Sequence, residues 1–588
     1  MTRSESFLSR FFGPWVNLVN PNTLRADAIA AILGAILVLP QAIAFATLAG
    51  LPPQYGLYTA IIPCAVAALF GSSRHVMSGP TNANSLALYA MLIPIAAAGT
   101  GRFIELALTV TILVGLIQLA VAVLRLGTLA NFISPSALMG FTSGAALLIA
   151  LYAMKDALGL RMDNVHGSMP TLIYITQHLA DTQSSSFTVA AVTLISALIS
   201  KRINRKLPFM LIGIATGTVG AIFINSSSST LGMSAVTQVG SIPSPWPAFH
   251  LPTIPWSEAA DLLGIAVALS IIALGQSISI AKAVALKSGQ HIDPNREFLG
   301  QGLSNLAGGF FSCYLSCGSL NRSLPNYEAG ARTPLAAVFS AIFLMILVAV
   351  SAPILSQIPM AGISGLLLLV AWSLLDIPRW IRLIRTHQKE FGISAMTMLA
   401  TILLRLEMAI LLGTLLSLLS YLHRTSKPAM RIMGFLTRNA DRTLEPIDIR
   451  QKNTPPQCPQ VLMLRMEGSV YFGATQHVSQ TLIKLREQPH APKHLLIMAR
   501  SMNFIDLSGA ELWEQELIAR RSTGGDLYFH RPRPEVLQMW QRTGFIDRLG
   551  HDHIFHTKEA AIDGIFSHLD REICRTCQVR IFKECATI

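Results

Sequence analysis

Two short stretches of this chain gather groups that bind anions. Ser319, Asn321, Arg322 and Ser323 follow directly on Cys317-Gly318, and Ser78-Gly79-Pro80-Thr81 is followed by Asn82 and Ser85. Gly, Pro and Ser at these points read as helix starts. A helix that starts inside a membrane presents unpaired N–H groups and about +0.5 of an elementary charge at its N-terminus. Two such ends facing one another, ringed by hydroxyls, amides and one guanidinium, offer a divalent oxyanion such as sulfate enough donors to replace its water. Arg322 carries the most weight, because an arginine at the centre of a membrane helix costs about 2.5 to 3.5 kcal/mol on insertion scales and by default serves a function. Snorkelling to the surface, or an ion pair with Glu328, is the alternative role.

Other residues invite weaker readings. Leu39-Pro40-Gln41-Ala42-Ile43-Ala44-Phe45 puts a proline in mid-helix, where it frees a carbonyl and bends the axis. Beside the two half-helices such a bend lets Gln41 or Phe45 line the cavity; a packing kink with Phe45 in the core fits the spacing equally well. Asp506 and Ser508 stand at a helix start, where capping is the expected role for both. A regulatory phosphate on Ser508 is the other reading, since a helix N-terminus favours an anion. Cys574-Arg-Thr-Cys577, with Cys585 and nearby His568, is spaced for zinc or a redox pair. A single CxxC satisfies only part of the zinc pattern, so no metal is expected there. No GxxxxGK[ST] loop is present, so neither an enzyme nor ATP-driven transport is expected, and no cofactor is called for.

These groups can act together only if the chain holds them in lipid, and its composition says that it does. Of 588 residues, 52% are hydrophobic and 13% charged, far below the roughly 25% charged residues of a soluble domain. The net charge of +13 comes from Lys and Arg scattered through short loops, which speaks for membrane orientation and against nucleic acid. Met1 to Thr23 is polar and punctuated, so no cleavable signal is expected. Seven cysteines, split between the apolar region and the tail, do not form a secreted disulfide framework.

Fourteen apolar segments begin near Ala26, Tyr55, Gly79, Phe103, Phe132, Phe187, Pro208, Ala259, Arg296, Ser319, Pro334, Ala361, Phe391 and Leu406. Basic residues follow the even-numbered ones, as in Lys201 to Lys206 and Arg379 to Lys389, whereas the loop from Asn225 to Trp256 has no Lys or Arg. Both termini are therefore expected in the cytoplasm. Seven plus seven spans imply an inverted repeat, and the two short segments that open at Gly79 and Gly318 occupy corresponding places in it, a pattern that marks a midplane site. Past Arg424 strands and helices alternate as in a small α/β domain: Val461 to Met466, Val478 to Glu487, His494 to Met498, Leu507 to Arg520, Asp526 to His530, Pro534 to Gly544 and Thr557 to Leu569. The expected organisation is a cytoplasmic segment 1–24, an all-α polytopic membrane domain 25–425, a linker 426–459, the α/β domain 460–570 and a cysteine-containing tail 571–588.

Long ordered motifs then carry a resemblance. PQAIAFATLAGLPPQYGLY (Pro40 to Tyr58), GSSRHVMSGPT (Gly71 to Thr81) and NREFLGQGLSNLAGGFFSCYLSCGSLNRSLPNYEAGARTPLA (Asn295 to Ala336) resemble the sulfate permease (SulP) family, and Phe504-Ile505-Asp506-Leu507-Ser508-Gly509 resembles the signature loop of its STAS domain. The resemblance implies core and gate domains, alternating access and a homodimer in the cytoplasmic membrane. It implies a small-anion substrate, with sulfate ahead of bicarbonate, chloride or dicarboxylates. A rival to transport is a membrane anion sensor, in which the STAS domain signals to a cytoplasmic protein partner. Carried over by motif, Phe45, Thr81, Asn82, Ala83, Ser319, Leu320, Asn321 and Arg322 would contact the anion. Many members have serine where this chain has Asn321. Many bacterial members have glutamate where it has Gln276, the candidate coupling position; glutamine does not titrate, which leaves coupling through another group, anion exchange or passive flow.

Overall fold

The computed structural model describes residues 9, 12–127, 134–160, 167–204, 208–226, 234–240, 244, 246–254, 256–404, 406–435, 444–447 and 457–587. The chain forms two compact units, Met1–Ser417 and Leu418–Ile588.

Thirteen of the fourteen predicted segment starts fall on or immediately before a helix; the fifth, Phe132, lies outside the described residues. The first set of helices is α1 (Pro21–Leu48), α2 (Pro53–Phe70), α3 (Asn82–Leu92), α4 (Gly101–Val123), α5 (Pro135–Ala157), α6 (Ser184–Ile203) and α7 (Phe209–Ser226). The second set is α8 (Leu263–Ser288), α9 (Pro294–Phe310), α10 (Leu320–Glu328), α11 (Leu335–Leu355), α12 (Met360–Leu374), α13 (Gln388–Leu403) and α14 (Leu406–Thr425). Among the described residues nine helical stretches are long and apolar enough to cross a membrane. The short ones include α3 and α10, with 11 and 9 residues, and such broken helices are tolerated at membrane depth only when protein surrounds them.

Local chemistry sets the ends of these elements. Asn20 and Thr23 form a capping box at the start of α1, each side chain bonding the other's backbone N–H at 2.9 Å, with Pro21 at the first helical position. α1 then continues through Pro40. Packing depends on small residues: a Cβ on Gly115 would lie 2.5 Å from the backbone nitrogen of Leu306, and one on Gly302 would lie 2.8 Å from that of Leu119, so α4 and α9 touch backbone to backbone.

The helices pack in two groups, α1–α4 with α8–α11 and α5–α7 with α12 and α13; α14 joins the second through Gly413, where a Cβ would stand 2.7 Å from Thr397 Oγ1 of α13. Adding seven to each helix of the first repeat, and subtracting it in the second, returns contacts that are also present. The pair α4–α9 becomes α11–α2, α1–α11 becomes α8–α4, and α5–α13 becomes α12–α6. Two short strands, β1 (Ser78–Gly79) and β2 (Cys317–Gly318), lie where the two repeats meet and pair antiparallel.

The second unit is a sheet of β3 (Ala429–Phe435), β4 (Leu444–Pro446), β5 (Val461–Val470), β6 (His494–Met498), β7 (Met502–Ile505), β8 (Leu527–His530) and β9 (Ile554–Phe555). Its order is β4-β3-β5-β6-β8-β9, with β7 also on β5. Every residue of β6 is buried, as an inner parallel strand requires. The segment 426–459, read from sequence as a linker, contributes β3, which pairs antiparallel with β5, and β4, which pairs with β3. Helices α15 (Phe472–Arg486), α16 (Leu507–Ser522), α17 (Pro534–Arg542) and α18 (Lys558–Phe566) complete the unit. α15 starts ahead of the predicted Val478. Thr557 caps α18 as expected, accepting from Ala560 N–H at 3.1 Å. Trp513, Phe529, Trp540 and Phe545 fill the core.

Candidate functional site

In the ladder between β1 and β2, Ser78 stands opposite Gly318 and Gly79 opposite Cys317. α3 and α10 therefore begin from opposite ends of one small antiparallel element. Their N-cap residues, Thr81 and Ser319, have extended backbones, and neither side chain bonds its own helix. The Thr81 hydroxyl meets the Cys317 sulfur at 3.3 Å instead. The two strands and helices are laced together: Ser319 N–H donates to Met77 O at 3.1 Å, and Met77 N–H donates to the Ser323 hydroxyl at 3.0 Å.

Arg322 lies in this junction, 2% exposed. Its Nη2 donates to Pro80 O at 2.9 Å, while Nε has no hydrogen-bond partner. Gly79 makes room for it: its φ of +146° suits glycine, and a Cβ there would stand 2.5 Å from Arg322 Nη1. Among the described residues no carboxylate pairs with Arg322. The pairing with Glu328 weighed from sequence is not made, and Glu328 instead faces Lys287 at 3.6 Å on the surface. Six residues along an α-helix turn about 600°, which puts the two side chains on different faces. Burial likewise rules out snorkelling.

A second ring of polar groups holds the junction. Ser78 accepts from Gln301 Nε2 at 2.8 Å. Gly318 N–H donates to the Ser277 hydroxyl at 3.0 Å, and the Cys317 thiol donates to Gln276 Oε1 at 3.1 Å. Gln276 thus sits beside β2, half-buried. Ser85 and Tyr314 share a hydrogen bond of 2.9 Å. Two buried acids brace the surrounding loops: Asp27 accepts from the N–H groups of Arg332 and Thr333, and Glu297 from those of Ser72 and Ser73 at 3.0 Å.

The other predicted residues divide. Thr81, Ala83 and Ser319 are buried at the helix starts and Asn82 is half-buried, its side chain accepting from Ala83 N–H at 2.8 Å. Leu320 and Asn321 are exposed. Phe45 is buried in the same apolar cluster as Ala83 and Leu269. Gln41 reaches the other helix group, where its Nε2 meets Met210 Sδ of α7 at 3.6 Å. Sequence reasoning passed over Cys317 as a contact residue, and over Ser277, Gln301 and Tyr314. Each is a polar side chain within an apolar run, but only the fold reveals which of them converge.

In the second unit Asp506 caps α16, accepting from Gly509 N–H at 2.9 Å, and also accepts from Phe472 N–H at 2.8 Å at the start of α15. Ser508 takes no part in this cap, against the expectation for it. It occupies the second helical position, half-buried.

The profile of the sulfate permease family matches residues 24–397. The chain belongs to this family. A STAS domain matches 452–561. Low affinity sulfate transporter 3 of Stylosanthes hamata is 27% identical, over 96% of this chain and 92% of its own. Sulfate transporter 1.2 of Arabidopsis thaliana is 26% identical, over 93% of this chain and 86% of its own. The inward-facing structure of the murine anion transporter Slc26a9 superposes with a TM-score of 0.84 at 19% identity, covering 96% of each chain. The transmembrane domain of the cyanobacterial bicarbonate transporter BicA gives a TM-score of 0.59 at 23% identity, over 68% of this chain and 98% of that one. As a member of this family the chain is an integral membrane anion transporter and not an enzyme.

Proposed function

We propose that the chain is a secondary transporter that moves small inorganic anions, sulfate first, by alternating access, with the anion held between the N-termini of α3 and α10. The observation that carries this reading is the buried guanidinium of Arg322, which faces two uncapped helix starts and has no carboxylate partner among the described residues. A buried positive charge is costly until a counter-charge arrives, and an anion at this junction supplies one. Thr81, Asn82, Ala83, Ser319, Leu320 and Asn321 would add hydroxyl, amide and backbone donors, with Gln41 and Phe45 on the neighbouring helix. Fourteen spans with both termini in the cytoplasm of an inner-membrane homodimer, and a protein partner for the STAS domain, complete the proposal. The sulfate preference draws on what the plant relatives are named for. Bicarbonate, chloride or a dicarboxylate fits the same donors.

A second reading, exchange or passive anion flow, is favoured by Gln276, which sits at the junction and carries no titratable proton. Radiolabelled sulfate uptake into proteoliposomes, with and without a pH gradient, tests both. Saturable uptake lost in Arg322→Ala supports the carrier, and its response to the gradient separates coupled from uncoupled transport. Uptake no greater than in empty liposomes removes sulfate from first place, and single-channel currents would replace the carrier with a channel.

A further inference from the structure

The carboxy-terminal unit holds reactive side chains for which anion transport has no use. Cys458 lies just ahead of β5, Cys574 and Cys577 lie at the short helix Arg571–Thr576, and Cys585 follows in the tail. All four are free thiols and all four line one cavity. Sequence spacing singled out three of them; only the fold adds Cys458. Gln460 brings the segments together, its Nε2 donating to Asp570 O at 3.0 Å and its Oε1 accepting from Asp570 N–H at 2.9 Å. The ring of Phe582 rests edge-on against Phe435 at 6.0 Å, so the tail is docked on the domain rather than free of it.

We infer that Cys458, Cys574, Cys577 and Cys585 are the ligands of a structural zinc ion that fastens the tail to the start of β5. Four sulfurs are a complete tetrahedral shell with no position left for water, which is the composition of a structural site and not of a catalytic one. The C-x-x-C pair supplies one half of the shell. A separate turn and a residue distant in sequence supply the other, so the ion would cross-link the domain as a disulfide does, without an oxidant. Outer contacts suit thiolates: Gln460 Nε2 donates to Cys574 Sγ at 3.2 Å, the type of second contact that orients metal ligands. Arg580 lines the same cavity, and Arg571, Arg575 and Lys583 lie close in sequence, offsetting the charge of a zinc tetrathiolate.

Among the described residues no three His, Cys, Asp or Glu side chains share a metal-binding sphere, so the inference requires the four thiols that line this cavity to draw together around the ion. Binding exchanges four S–H protons for one Zn2+, giving Zn(SR)4 with charge −2 and four released H+, and therefore weakens as pH falls. Zinc is preferred over harder ions because thiolates are soft donors. The site does not depend on which anion crosses the membrane.

The test is metal analysis of the full-length protein purified in detergent without chelator. About one zinc per chain is expected, released by a mercurial reagent and registered with a zinc-binding dye. Cys574→Ser/Cys577→Ser is expected to lower zinc content about tenfold, while Cys64→Ser in the membrane unit retains it. Cobalt added to metal-stripped protein is expected to give sulfur-to-cobalt charge-transfer absorption and tetrahedral d–d bands. Less than about a tenth of a zinc per chain, with all four thiols open to a thiol reagent in the native protein, overturns the inference. Iron with inorganic sulfide in place of zinc, or a Cys574–Cys577 disulfide seen as a mass about two daltons lower, also overturns it. If the double variant does not fold, release of zinc from the wild-type chain by the mercurial decides the matter without it.

Discussion

Two arginines are buried equally deeply in this protein and treated in opposite ways. Arg520, 1% exposed in the STAS domain, binds Glu516 at 2.7 Å, and the same carboxylate takes Arg486 at 2.7 Å. Its Nη1 also donates to Pro492 O at 2.9 Å and Lys493 O at 3.2 Å. Arg322 in the membrane unit has one carbonyl, Pro80 O, and no acid among the described residues. Each guanidinium leaves a buried nitrogen unpartnered, but Arg520 bonds three acceptors, one of them charged, against a single neutral carbonyl for Arg322. The STAS domain neutralises its buried cation within the fold, which makes Arg520 a structural residue. The membrane unit offers Arg322 no such counter-charge among the described residues, and the proposed anion would supply it.

The sharpest test of this contrast is Arg322→Ala, expected to cost the bound anion about 3 kcal/mol and hence to lower uptake about 100-fold, with thermal unfolding little changed. Uptake within about threefold of wild type would break the comparison. Arg520→Ala should do the reverse: with Arg486 still on Glu516, the STAS domain loses about 2 kcal/mol in thermal or denaturant unfolding, and uptake per folded molecule is unchanged. Asp506→Ala, which uncaps α16 and frees Phe472 N–H, is expected to cost about 1 kcal/mol by the same measurement. The smallest effect concerns a buried histidine of the STAS domain and the two carboxylates it meets. Burial lowers the His553 pKa, but hydrogen bonds to Asp526 at 3.1 Å and Asp552 at 2.9 Å outweigh burial and raise it above 6.5. A raised histidine contributes its stability in full below its unfolded pKa and loses it as pH rises through the folded one, so the melting temperature should fall above about pH 6.5. His553→Gln should flatten that slope. Asp526 works in the other direction: burial raises its pKa, but His553, Leu527 N–H and Arg521 overcome this and bring it to about 2. Its contribution is present above about pH 3.8 and is lost as pH falls toward 2.

Much of this was legible in the sequence because it is local. Apolar runs located the helices, and Gly79-Pro80 and Gly318-Ser319 marked the two broken ones because glycine, proline and serine interrupt helices wherever they stand. Position within a run, however, does not reveal a partner. Glu328 is near Arg322 along the chain and apart from it in space, whereas Cys317 is far from Thr81 along the chain and touches it. β3 escaped notice because the alternation in Ala429–Phe435 is short and follows directly on the apolar helix α14, and its pairing with β5 spans the residues between them. Ser508 looked like a cap because hydroxyls cap, but Asp506 stands one turn before Gly509 and takes the bond first.

Exchanging the helices of the first repeat with those of the second returns several of the same contacts about the β1–β2 ladder, but not the same side chains. Where the first repeat passes with Gly79 and Pro80, the second sends Arg322 across the ladder to Pro80 O. The two halves are thus twins in framework and unlike in charge. An anion at the proposed site would meet matching backbone from both and a cation from only one.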